Sequence, residues 1–130
     1  MEPDRRVLID TSIMVDLFRG LEEAAEWIDS IEGKDRVLSF ITVAELIAGC
    51  RNKNEQKKIE SEFRGYLIIY PDSDGCAKGL EWYRKFHLSH SVGFLDCLIA
   101  ASAYSNGIPI ATLNERHFRQ FPGVSTTRPY

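Results

Sequence analysis

Short apolar runs recur along this chain with helix-length segments between them, and that alternation constrains the fold more than any other feature. Val7-Leu8-Ile9, Val37-Leu38-Ser39-Phe40, Leu67-Ile68-Ile69-Tyr70 and Ile108 to Ala111 each read as a buried strand, and Val124 to Thr127 as a fifth. Between them, apolar residues return at helical spacing, and Ala77, Leu80, Tyr83 and Phe86 are expected to form the inner stripe of one such segment. Helices are expected over Ser12 to Arg19, Leu21 to Ile31, Thr42 to about Gly49, Asn52 to Gly65, Asp74 to His87 and Phe94 to Tyr104. Gly20, Gly33 and Asn106-Gly107 supply stops. Strands alternating with helices imply an α/β fold: a central parallel sheet of four to five strands flanked by helices. No repeat, low-complexity stretch or linker interrupts the sequence, so residues 1–130 are expected to form a single domain. In such sheets, sites form beyond the carboxyl ends of the strands. Asp10 stands at one such end, and Thr112 and Asn114 follow another.

The bulk properties exclude several classes. Hydrophobic residues make up 44% and charged residues 27%, as in ordinary globular domains. No apolar run approaches the ~20 residues that a membrane span needs. The polar start Met-Glu-Pro-Asp-Arg-Arg leads straight into a strand and is not expected to be a signal peptide. Cys50, Cys76 and Cys97 are odd in number and lack C-x-x-C spacing. Free thiols in a reducing cytoplasm are expected, rather than disulfides or a zinc site. A net charge of −3 argues against a passive nucleic-acid-binding module. It is compatible with an enzyme that gathers acid at a metal and keeps basic residues around it. Arg51, Lys53, Lys57, Lys58 and Arg64 form one basic stretch, and Arg84 with Lys85 another. Each reads either as a phosphate-facing surface or as a solvated helix face.

Three acids stand out. Asp96 falls within the apolar segment Phe94 to Tyr104. A buried carboxylate is costly unless it is paired or bound to metal, so Asp96 points to a site or to a buried partner. Asp10 reads as a functional acid or as the cap of the next helix. Glu45 closes a Thr42-Val43-Ala44-Glu45 capping box, or belongs to the site. Three carboxylates in one pocket would repel one another strongly. A divalent cation turns that repulsion into affinity, and all-oxygen ligands suit Mg²⁺ or Mn²⁺. Such ions activate water and stabilise phosphoryl charge, which is the chemistry of phosphodiester cleavage.

Four stretches carry a family likeness, in one order along nearly the whole chain. They are Val7-Leu8-Ile9-Asp10-Thr11-Ser12, then Ser39 to Gly49 with Glu45, then Gly93 to Ala103 with Asp96, then Ile110-Ala111-Thr112-Leu113-Asn114 through Phe118, followed by Phe121-Pro122-Gly123-Val124. With these motifs the chain resembles PIN-domain ribonucleases, specifically VapC-type toxins of bacterial and archaeal toxin–antitoxin pairs. The resemblance implies a PIN-like α/β domain acting as the toxin of a type II toxin–antitoxin system. It implies a Mg²⁺- or Mn²⁺-dependent endoribonuclease that cleaves RNA phosphodiester bonds in the cytoplasm. Asp10, Glu45 and Asp96 would be the metal-holding acids, with Glu45 ligating the ion or acting as base. Thr11, Ser12 and Thr112 would support the ligands or contact phosphate. A VapB-type antitoxin and a homodimer are implied as well. Asn114 is the departure, since many members carry Asp there. Asn keeps a carbonyl oxygen but loses the charge.

Competing readings remain at this level. A non-catalytic PIN-like scaffold that only binds a protein partner gains weight from Asn114. His87, His90 and His117 offer metal-free acid–base cleavage, or are simply surface groups. A phosphate-accepting signalling module is disfavoured: Asp10 has no acidic neighbour and no Lys follows Lys85. Leu17, Phe18, Trp27, Tyr66 and Trp82 either line an apolar groove for an antitoxin segment or belong to the core.

Overall fold

The computed structural model describes residues 2–130. Strands β1 (Val7–Ile9), β2 (Arg36–Ser39), β3 (Leu67–Ile69), β4 (Ile110–Ala111) and β5 (Thr126–Thr127) form one sheet in the order β3-β2-β1-β4-β5. Every neighbouring pair is parallel. Leu8 is in register with Val37 on one side and with Ile110 on the other. The helices are α1 (Thr11–Phe18), α2 (Glu22–Asp29), α3 (Phe40–Ala48), α4 (Lys53–Phe63), α5 (Ser73–His90), α6 (Phe94–Asn106) and α7 (Glu115–Arg119). The expected α/β architecture is the one observed. Among the described residues, no helix is long and apolar enough to cross a membrane.

Side chains alternate across the sheet and feed two cores. Leu8, Val37 and Ile110 pack with Trp82, Phe86 and Ile99 on one face. Val7, Ile9, Leu38 and Ala111 pack with residues of α1 to α4 on the other. The central strands are therefore apolar on both sides, as a parallel sheet requires. The chain adds β2 and β3 on one flank of β1, then returns through α5 and α6 to place β4 and β5 on the other. The strand order thus reverses between β1 and β4, and a crevice opens beyond their carboxyl ends.

Three expectations are corrected. Helix α3 starts at Phe40, not Thr42, because Ser39 is its N-cap and its hydroxyl oxygen accepts from Ile41 N–H at 3.1 Å. Thr42 is buried one turn inside, so no capping box forms and Glu45 is free for another use. Helix α5 buries Gly75, Gly79, Trp82 and Phe86, while Ala77 and Leu80 of the expected stripe are exposed. The glycines set this rotation by letting α5 close on α6: a Cβ on Gly79 would lie 2.8 Å from Leu98 Cδ2. The second helix stops at Asp29, and Gly33 opens a 3-10 turn, Gly33–Asp35, instead of ending the helix.

Candidate functional site

Asp10 leaves β1 tied to the neighbouring strand, its N–H donating to Ala111 O at 2.9 Å. Its side chain does not cap α1. Instead Oδ2 accepts from Ser12 Oγ at 2.9 Å and from Thr112 Oγ1 at 2.8 Å. Thr112 is fully buried at the end of β4, and its Oγ1 also accepts from Asn114 N–H at 2.9 Å. Ser12 Oγ accepts in turn from Leu113 N–H at 3.3 Å. The two hydroxyls therefore lock the Asp10 carboxylate to both central strand ends.

Glu45 reaches the same region from α3. The Thr11 hydroxyl donates to its Oε1 at 3.1 Å and lies 3.0 Å from Thr42 Oγ1. Burial, then the negative charges of Asp96 and Asp10, push the Glu45 carboxyl above the usual glutamate range, against a lowering by the Thr11 hydrogen bond. Glu45 therefore experiences the other two acids electrostatically.

Asp96 does not sit mid-helix and buried, as its apolar surroundings in sequence suggested. It lies in the first turn of α6, and its side chain is 38% exposed. There the positive end of the helix dipole favours an acid. The apolar run still makes a buried helix, but from Cys97 onward. Asp96 Oδ2 is 2.9 Å from His117 Nε2. An ionised carboxylate only accepts, so Nε2 carries the proton.

A common pattern emerges. Each acid has one oxygen engaged by a protein donor: Oδ2 of Asp10, Oε1 of Glu45 and Oδ2 of Asp96. The other oxygen of each has no protein donor among the described residues. No Lys or Arg forms an ion pair with any of the three among those residues. Nor do any three His, Cys, Asp or Glu side chains among them close into a ready-made metal cage. The donor set nevertheless fits Mg²⁺ or Mn²⁺. These hard cations take oxygen ligands, keep several waters, and are commonly held by only one or two carboxylates.

Asn114 is the N-cap residue of α7, exposed, with no side-chain cap hydrogen bond. It contributes main chain: its N–H to Thr112, and its C=O to His117 N–H at 3.0 Å. The sequence offers His117 only as an acid–base or surface group and Thr42 only as a helix cap, whereas the structure sets them beside Asp96 and Thr11. Only the position of His117 three residues after Asn114, one helical turn on, could have marked it. His87 stacks on Tyr83 and His90 stands edge-on to Phe86, all on α5, and among the described residues neither makes a hydrogen bond to the acids.

A cleft of about 690 Å³ opens from Thr11 and Glu45 and runs between α1, α3 and α4. Val15, Phe18 and Ile59 give it apolar walls, and Arg19, Arg51 and Lys58 line it with charge. Of the expected groove residues, Phe18 lines this cleft. Tyr66 and Trp82 are core, and Trp82 packs on the opposite face of the sheet. Leu17 and Trp27 pack partly buried beside the second core. Of the basic stretches, Arg51 and Lys58 face the cleft, while Arg84 and Lys85 are exposed on α5.

Comparison with known proteins bears on the family and the fold. The PIN domain family model matches residues 7–124. Ribonuclease VapC10 of Mycobacterium tuberculosis is 32% identical over 121 residues, covering 88% of this chain and 87% of that protein. Ribonuclease VapC19 of the same species is 33% identical over 120 residues, covering 90% and 95%. A toxin–antitoxin complex from Klebsiella pneumoniae contains a chain of the same fold, with a TM-score of 0.79 at 23% identity, covering 95% of this chain and 98% of that one.

Proposed function

Since the chain belongs to the PIN-domain family, in its VapC branch, we propose that it is the ribonuclease toxin of a type II toxin–antitoxin pair. In this reading it cleaves RNA endonucleolytically in the cytoplasm and depends on Mg²⁺ or Mn²⁺. The observation that carries the reading is the trio Asp10, Glu45 and Asp96, each held by one oxygen and open at the other.

Asp10 and Asp96 would hold the ion, with Glu45 as a further ligand or as base. The ion, when bound, neutralises the gathered acids and the phosphoryl oxygens that develop charge during attack. Thr112 and Ser12 fix Asp10, so its open oxygen does not have to be ordered at the moment of reaction. Glu45 is raised in proton affinity by burial and by the other acids. That suits it to accept a proton from the attacking water at an oxygen Thr11 leaves free. Asn114, exposed at the start of α7, would meet phosphate or water with its amide. The partner would be a VapB-type antitoxin, with an apolar and acidic segment seated in the cleft, and the toxin would pair as a homodimer.

The test is to incubate the purified chain with total RNA and map new 5′ ends. Cleavage is expected with Mn²⁺, and neither in EDTA nor with Asp96→Asn. Cleavage surviving in EDTA removes the metal reading. A chain that neither cuts RNA nor takes up Mn²⁺ at millimolar concentration is instead a partner-binding PIN fold without catalysis.

A further inference from the structure

We propose that His117 is a positioning residue, which grips Asp96 by Oδ2 so that Oδ1 is presented to the divalent cation. This rests on the metal-dependent reading above.

Asp10 is held by two hydroxyls and Glu45 by Thr11. His117 is the only side chain that hydrogen-bonds Asp96 among the described residues. Without it, an Asp that is 38% exposed in a first helical turn would sample several rotamers. Ordering it would then fall to the incoming cation.

His117 is well mounted for the task. Its N–H donates to Asn114 O at 3.0 Å, and its C=O accepts from Gln120 Nε2 at 2.7 Å. Its ring stands edge-on to Phe118 at 5.4 Å between centroids. Phe118 is 1% exposed and anchors α7 in the core. Thr126 Oγ1 donates to Glu115 at 2.7 Å and pins the start of α7 to β5. The ring nitrogen thus faces Asp96 from a helix fixed at both ends. Imidazole also suits the position chemically. It donates one N–H without the permanent charge of Lys or Arg, which would compete with the cation. Partners of this kind orient metal-binding groups, and removing one typically weakens metal affinity about 10–100-fold.

The test compares His117→Gln, whose amide nitrogen reaches about as far as Nε2, with His117→Asn, which is too short. Mn²⁺ binding to the full chain is measured by calorimetry without RNA, and thermal unfolding is recorded alongside. The Asn variant should lose about tenfold in Mn²⁺ affinity at nearly unchanged Tm, and the Gln variant should stay within about threefold of wild type. Equal Mn²⁺ affinity in all three proteins overturns the proposal. So does an equal loss in both variants, which would mean that a donor at this reach does not do the work of the imidazole. A wild type that takes up no Mn²⁺ overturns the metal reading itself, a result distinct from either of these.

Discussion

Thr112 and Asp10, 102 residues apart in sequence, meet through a 2.8 Å hydrogen bond from Thr112 Oγ1 to Asp10 Oδ2. The contact spans the seam between β1 and β4, where the strand order reverses. The same hydroxyl accepts from Asn114 N–H, so a chain of donors runs from the start of α7 to the first acid. The sheet's topology is thereby transmitted to the orientation of one carboxylate.

Thr112→Val keeps the shape and deletes the hydroxyl. It leaves Asn114 N–H without its acceptor and Asp10 with Ser12 alone. Breaking a buried pair in this way costs about 2 kcal/mol, which urea denaturation will read as a lower midpoint at unchanged slope. Mn²⁺ affinity should fall about tenfold, and Thr112→Ser should restore most of both. A valine variant as stable as wild type would mean that the hydroxyl supports nothing.

Glu45→Gln separates stability from catalysis. The folded Glu45 carboxyl holds its proton more tightly than an unfolded one. Its contribution to stability is therefore present below the ordinary glutamate range and is lost as pH rises through the raised value. The metal-free wild type should lose stability relative to Glu45→Gln across that window. At pH 7 the variant should be the more stable of the two, by a small margin because solvent screens the site. RNA cleavage should nonetheless be lost. A stability difference independent of pH would remove Glu45 from the cluster of acids.

How much of this was legible in the sequence follows from what each signal encodes. The sheet and its helices were legible because Val7 to Ile9 and Val37-Leu38 are apolar on both faces, a pattern that parallel strands require. The start of α3 was not, because Ser39 and Thr42 are both good caps and the strand end decides between them. The rotation of α5 was missed because periodicity scores Ala77 and Leu80 as inward and ignores Gly79, which packs by having no side chain. Asp96 was singled out for burial, yet it lies at a helix start, where an acid is favoured. Its link to His117 joins residues 21 apart through α6 and α7, and no local pattern records such a contact.

The close approach at Gly79 makes its own prediction. A Cβ there would sit 2.8 Å from Leu98 Cδ2, 3.4 Å from Leu98 Cα and 3.5 Å from Cys97 O. Gly79→Ala displaces a flexible side-chain tip and gains about 1 kcal/mol of helix propensity, so its net effect should be small. Gly79→Val pushes on the α6 backbone and should cost about 2 kcal/mol. Because Asp96 lies in the first turn of α6, cleavage should fall in the valine variant by more than its folded fraction explains. Equal unfolding midpoints for the two variants would show that the helices have room to part.

The cleft separates two contributions to partner binding. Arg51 is already paired with Glu55 at 2.8 Å, whereas Arg19 and Lys58 form no ion pair among the described residues. An acidic partner segment would therefore be steered mainly by Arg19 and Lys58. Arg19→Glu with Lys58→Glu should slow association with a cognate antitoxin about tenfold, and added salt should slow the wild type in the same way. Phe18 is an apolar wall of the cleft, so Phe18→Ala should instead speed dissociation and leave the salt dependence unchanged. Surface plasmon resonance of the toxin against that antitoxin reads both rates. If the charge reversals leave association untouched, the segment lies elsewhere on the toxin.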